Sequence, residues 1–175
     1  MNVNLLEWYQ SKHSDFKGDN LPSASSQLQL EKLTNDILIP IESEFGAVTI
    51  TYGFNCHQLL RYIQRHSPSD TAPAIDQHAS MEHNSKGNRI CQRDGAACDF
   101  TVVGYEEEME CIAHYIITTL KFDRLYYYGS NKPLHVSIGS DNARYVQIRR
   151  TKSDGRRVAG PSRTGLGALE LFTYG

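Results

Sequence analysis

A carboxylate and several imidazoles are placed where they could do chemistry together. Asp99 lies inside an apolar run, Gly95-Ala96-Ala97-Cys98-Asp99-Phe100-Thr101-Val102-Val103. His135 lies inside another, Leu134-His135-Val136-Ser137. Two more histidines, His78 and His83, fall in a polar stretch over residues 67–94. A carboxylate inside a strand is costly to bury without a partner or a metal. Imidazole and carboxylate are ordinary zinc ligands, and three protein ligands plus a water make the open site of a catalytic zinc. The competing reading is structural: a hydrogen-bonded strand histidine, and an aspartate in a salt bridge or a cap. Spacing alone does not choose between them.

The elements that must position these groups are legible as periods. Leu30, Leu33, Ile37, Ile41 and Phe45 recur at steps of three and four, which predicts an amphipathic helix. Pro40 should kink or split it, and Gly46 should stop it. Val48-Thr49-Ile50-Thr51-Tyr52 predicts a buried strand, and residues 57–65 a short helix. Residues 11–27 read as loop, and the long stretch 67–94 as a loop of functional type. Residues 95–103 predict a central strand. Tyr105, Met109, Ile112, Ile116 and Leu120 predict a helix with Glu106, Glu107 and Glu108 in its first turn. Strands are expected at about 123–128, 134–138 and 144–150. The order implies an α+β fold, a single domain with a central antiparallel sheet flanked by helices.

Composition narrows the class. A chain of 175 residues is one domain by length. Hydrophobic residues at 39% and charged residues at 22% exclude a disordered or collagen-like chain. No apolar run approaches the roughly 18 residues of a membrane helix. Met1–Trp8 carries no basic-then-apolar secretory pattern, so the expected location is cytoplasmic. The four cysteines (Cys56, Cys91, Cys98 and Cys111) show no Cys-x-x-Cys spacing and are expected as reduced thiols.

The net charge of −2 is an average. Residues 149–163 hold six basic residues (Arg149, Arg150, Lys152, Arg156, Arg157 and Arg163) against Asp154, a local +5 that leaves −7 elsewhere. Gly155, Gly160, Pro161, Gly165 and Gly167 make the stretch read as flexible. The domain is therefore drawn as residues 1–150, with 151–175 a basic flexible C-terminal extension. Such a tail would suit an acidic partner or nucleic acid, or would simply be solvated.

Several motifs, in order, resemble the zinc D-alanyl-D-alanine carboxypeptidase family, whose fold is shared by the Hedgehog signalling domain. They begin with Asn20-Leu21-Pro22, Leu30, Leu33, Ile37-Leu38-Ile39-Pro40, Glu44-Phe45-Gly46 and the strand ending Tyr52-Gly53-Phe54. They continue with Asp76-Gln77-His78, then Gly95-x-Ala97-x-Asp99-Phe100, Phe122-Asp123-Arg124-Leu125 and His135-Val136-Ser137. The resemblance covers about residues 20–140. It implies a Hedgehog-type fold, a Zn2+ ion held by His78, Asp99 and His135, and hydrolysis of an amide or peptide bond in a peptide-like or small-molecule substrate.

The sequence also departs from that pattern. The family's first His stands seven residues before its Asp, where this chain has Gln92. Using His78 requires an insertion of about fourteen residues, roughly Ala79 to Gln92, and His83 competes for the role. The family's catalytic Glu falls on or near Tyr128, and Lys132 stands three residues before His135. Asn55 replaces the turn arginine that binds a substrate carboxylate. Glu82 is the candidate replacement base and Arg93 the candidate anion clamp; the plainer reading of each is a solvated surface charge. Tyr126, Tyr127 and Tyr128 are candidates to line the cleft, alternate ones packing in the core. With base and clamp both displaced, the alternative function is a catalytically inactive zinc-binding module that binds a ligand or protein partner.

Overall fold

The computed structural model describes residues 5–70, 77–153 and 157–172. The helices are α1 (Tyr9–Lys12), α2 (Ala24–Leu33), α3 (Ile39–Phe45), α4 (His57–His66) and α5 (Met109–Thr119). The strands are β1 (Val48–Tyr52), β2 (Ala96–Val102), β3 (Arg124–Tyr127), β4 (Leu134–Ile138), β5 (Tyr145–Thr151) and β6 (Arg157–Thr164). They form one six-stranded sheet in the order β1-β2-β4-β3-β5-β6. The architecture is a single α+β domain.

Pro40 acts as its chemistry requires. It lacks an N–H and its ring crowds the preceding turn. The helix widens into a π-helical turn at Thr34–Leu38, and α3 restarts at Ile39 with the proline in its first turn. Ser23 caps α2 by accepting from the Ser26 N–H at 3.3 Å. The expected helix on Tyr105–Leu120 begins only at Met109, so Glu106–Glu108 precede it and none of them lies in its first turn. Instead, Glu106 accepts from the Gly104 N–H at 2.9 Å.

Strand alternation gives the sheet two different faces. Cys98, Phe100, Val136, Leu125 and Val146 are buried on the face covered by α2 and α5. Asp99, His135 and Tyr126 lie on the other, directly opposed across β2, β4 and β3.

Two expectations need correction. The sheet is mixed rather than antiparallel, because β5 runs parallel to β3. β4 already occupies one edge of β3, and residues 139–144 carry the chain past the start of β3 to its free edge. There the Arg144 N–H donates to the Phe122 carbonyl and the Tyr145 N–H to the Asp123 carbonyl. The second correction concerns the flexible extension. Residues 157–164 pair with β5, Ala168 is buried, and Leu169, Leu171 and Phe172 pack on the core. The boundary drawn after residue 150 falls inside β5. An edge strand tolerates the proline and glycine that suggested flexibility, and a Cβ at Gly160 would come within 2.8 Å of the Ile148 carbonyl oxygen. Asp154 and Arg156 lie outside the described residues.

Gly95, at the entry to β2, has φ +117°, and a Cβ there would collide with the Ile138 carbonyl oxygen. Gly95→Ala should destabilise the protein by about 3 kcal/mol or more, read as a lowered urea midpoint at unchanged slope.

Candidate metal centre

The β2–β4 register builds the first half of the site. Asp99 is paired with His135, and His135 Nδ1 lies 2.8 Å from Asp99 Oδ1. His78 arrives from outside the sheet on a short 3-10 turn, Gln77–Ala79. Its Nε2 reaches the same Asp99 oxygen at 3.2 Å. The three ligand atoms all lie within 4.8 Å of one another. A tetrahedral zinc with ordinary bond lengths sets its ligand atoms about 3.3 Å apart. The two measured contacts are close to that span, so His78, Asp99 and His135 form a group that could hold a metal ion.

Hydrogen bonding fixes what His78 presents. Its Nδ1 is 3.0 Å from the Gly53 carbonyl, which can only accept, so Nδ1 carries the hydrogen. In the neutral ring, Nε2 then turns a bare lone pair toward a carboxylate oxygen. That contact is favourable only with a proton or a cation between the two atoms. A backbone carbonyl on the far nitrogen is the usual orienting partner of a metal-bound histidine.

The Gly53 carbonyl is itself held. The Phe54 N–H donates to Leu5 and Trp8 Nε1 donates to the Phe54 carbonyl. Leu5 and Trp8 press so closely that a Cβ at Gly53 would stand 2.8 Å from Trp8 Cδ1. From the other side, the Asn55 N–H donates to the His78 carbonyl at 3.0 Å. Gln77 Nε2 donates to Asp123 Oδ2 at 3.0 Å and Ser80 Oγ to the Gly95 carbonyl at 2.7 Å.

The walls are aromatic. Tyr126 stacks on His135 with ring centres 4.7 Å apart, and Tyr52 meets the His78 ring edge-on at the same separation. Both histidines are 2% exposed, whereas the Asp99 side chain is 22% exposed, so the group opens on the aspartate side. Burial pushes the Asp99 carboxyl up, but His78 and His135, through charge and hydrogen bonds, outweigh it and hold the group well below the usual aspartate range. His135 Nε2 is buried with no hydrogen-bond partner among the described residues.

The remaining candidates are placed elsewhere. His83 is exposed and bridges to Arg89 in the turn over 82–90. Glu82 Oε1 accepts from the Ser23 N–H at 2.8 Å and from Ser26 Oγ at 2.7 Å, so it anchors the start of α2. Arg93 donates to Gln77 Oε1 at 3.4 Å and faces Asp123 at 3.9 Å, one residue removed from His78. Asn55 is buried and donates to the Tyr52 hydroxyl at 2.9 Å. Tyr127 is on the opposite face against Glu110 and Phe172, where burial and Glu110 push its phenol up to about 12. None of the four cysteines is in a disulfide; Cys56, Cys91 and Cys98 are buried and Cys111 is exposed.

Sequence reasoning did not single out Gly53 or Gln147, nor Arg149 as a site neighbour. Arg149 donates to Gln147 Oε1 at 2.9 Å and lies 5.2 Å over the Tyr126 ring that stacks on His135. The available signal was the alternation of β5, which puts residues 147 and 149 on the face of Tyr126. No protein-family model, curated protein or solved structure matches the chain. Among the described residues, no helix is long and apolar enough to cross a membrane.

Two outcomes are expected. Glu82→Ala should cost about 1–2 kcal/mol in urea unfolding and leave metal affinity unchanged, as befits a helix anchor. The lowered Asp99 contributes stability that is complete above its ordinary value of 3.8 and lost as pH falls through its lowered one. Metal-free Asp99→Asn should thus lose stability less steeply in acid than the metal-free wild type, compared as urea midpoints from about pH 5 downward.

Proposed function

We propose that the protein is a zinc-dependent hydrolase of an amide or peptide bond. The observation that carries this reading is the convergence of His78 Nε2 and His135 Nδ1 on one oxygen of Asp99. Two neutral imidazoles and one carboxylate leave a divalent ion with net positive charge. Zinc held there would supply polarisation of a water and of the substrate carbonyl. His78 contributes a lone pair whose direction is set by Gly53. His135 contributes a nitrogen held by the strand register and by the Tyr126 stack. Tyr52 and Tyr126 exclude water from the flanks, leaving the aspartate side as the approach for substrate. The motifs shared with the zinc D-alanyl-D-alanine carboxypeptidases support both the ligand set and a Hedgehog-type fold, and a peptide-like substrate follows from that resemblance.

A second reading is favoured by a specific observation. Glu82, the candidate base, is bound to α2, and Asn55 stands where the carboxylate clamp would be. A hydrolase needs a group near the reacting water to take its proton. A catalytically inactive zinc module that binds a ligand or protein partner needs none.

Carefully purified protein should contain about one equivalent of zinc, and His135→Ala should lose it. Metal-free wild type that does not take up zinc would overturn both readings. Hydrolysis of short peptides, abolished by chelation and restored by zinc, is expected of the enzyme. Zinc-loaded protein with no turnover on a broad peptide panel would leave the binding module.

A further inference from the structure

The groove between α4 and the turn over residues 82–90 has an unusual charge. Arg61, Arg65 and Lys86 line it together with His57, Tyr62 and His66. Among the described residues, no carboxylate lines it. The ion pairs among the described residues engage Arg89, Arg93, Arg124 and Arg163, and leave Arg61, Arg65 and Lys86 without an acidic partner. In a chain of net charge −2, three unpaired cations facing one groove concentrate positive potential there.

The cations are arranged along a line. His57, Arg61 and Arg65 repeat every fourth residue of α4, which sets them on one face in steps of about 6 Å. Lys86 stands on the opposite wall. The groove also carries an exposed, oriented ring. His66 stacks on Tyr62 with ring centres 4.2 Å apart and planes 21° from parallel. Its Nδ1 donates to the Tyr62 carbonyl at 2.8 Å. Tyr62 is wedged in turn against Phe16 and His13. One face of His66 is therefore covered and fixed, and His66 as a whole is exposed. The metal centre uses none of these residues.

A line of cations beside a preoriented aromatic ring is the pairing that holds single-stranded nucleic acid, where cations follow the phosphates and a ring stacks on a base. An acidic peptide would use the cations, but its carboxylate side chains do not stack on the ring. We propose that the groove between α4 and the 82–90 turn binds single-stranded nucleic acid, with Arg61, Arg65 and Lys86 on phosphates and His66 stacked on a base. The proposal does not depend on the metal centre. It also differs from binding by the C-terminal basic stretch, of which Arg149 and Arg150 lie in β5 and Arg157 and Arg163 in β6. Both walls nevertheless spring from segments that hold His78: α4 follows Gly53–Asn55, and the 82–90 turn follows Gln77–Ala79.

The test measures binding of a fluorescent oligothymidylate 12-mer to the full chain between 50 and 200 mM salt. Three phosphate contacts predict that log affinity falls against log salt with a slope of about −2. The triple variant Arg61→Ala/Arg65→Ala/Lys86→Ala should lose about tenfold or more in affinity and flatten that slope. His66→Ala should lose about tenfold on the 12-mer and nothing on a base-free phosphodiester oligomer of equal length. Unchanged far-ultraviolet dichroism and urea midpoints in these surface variants establish that each is folded. Binding that is absent, insensitive to salt or unaffected by the triple variant would overturn the proposal. So would equal affinity for polyglutamate or the base-free oligomer, and so would loss of binding only on replacing Arg149 and Arg150.

Discussion

One oxygen of Asp99 faces two imidazole nitrogens, and much of the molecule exists to make that meeting tolerable. A carboxylate on a central strand is stable only with its charge matched and its hydrogen bonds made. His135 meets it because β2 and β4 are in a register that sets residues 99 and 135 directly opposite. A slip of one residue in either strand would turn that strand's side chain into the apolar layer beneath α2 and α5. His78 has no such guarantee from the sheet. Its position depends on a chain of contacts from the Gly53 carbonyl to Phe54, Leu5 and Trp8. The remote N-terminal segment therefore belongs to the site, although it supplies no ligand.

A second buried carboxylate extends the same logic. Asp123 is 2% exposed, accepts from Gln77 Nε2 and the Ala143 N–H, and is approached by Arg93 and Arg124. Its own N–H donates to the Ser137 carbonyl, and its carbonyl accepts from Tyr145. One residue thus ties the His78 turn to the beginnings of β3 and β5 and the end of β4. The same junction admits β5 parallel to β3, so the mixed sheet and the placement of His78 have a common cause.

What could be read in the sequence was what local periodicity records. β1, β2, β4, α4 and the split at Pro40 each carry their pattern in consecutive residues. So did the apolar contexts of Asp99 and His135, whose residue types marked them as a candidate pair. The direction of β5 was not legible, since Tyr145–Thr151 reads the same way running with β3 or against it. β6 was hidden because glycine, proline and arginine obscure alternation, yet an edge strand accepts them. Glu82 looked available because its partners, Ser23 and Ser26, are more than fifty residues earlier in the chain. Long-range hydrogen bonds of that kind leave no local mark. The groove on α4 was missed for a related reason: Arg61 and Arg65 gain meaning only when Lys86 is brought opposite them.

The choice between the two proposed readings, hydrolase and silent module, narrows to one side of the candidate metal centre. Both histidines are buried, and Tyr126 and Tyr52 close the flanks. A group that takes a proton must therefore act over the open aspartate side. Glu82 is held by Ser23 and Ser26 at the start of α2, and Asp123 is held by Gln77 and Ala143. Neither can approach without surrendering hydrogen bonds that its burial or its helix requires. Arg149, over the Tyr126 ring, lies on β5, with β3 and β4 between it and Asp99. Always protonated, it cannot accept a proton. The hydrogen bonds that hold Glu82 and Asp123 thus weigh against either as the proton acceptor. An active enzyme would have to recruit its base from the second oxygen of Asp99 or from the substrate itself.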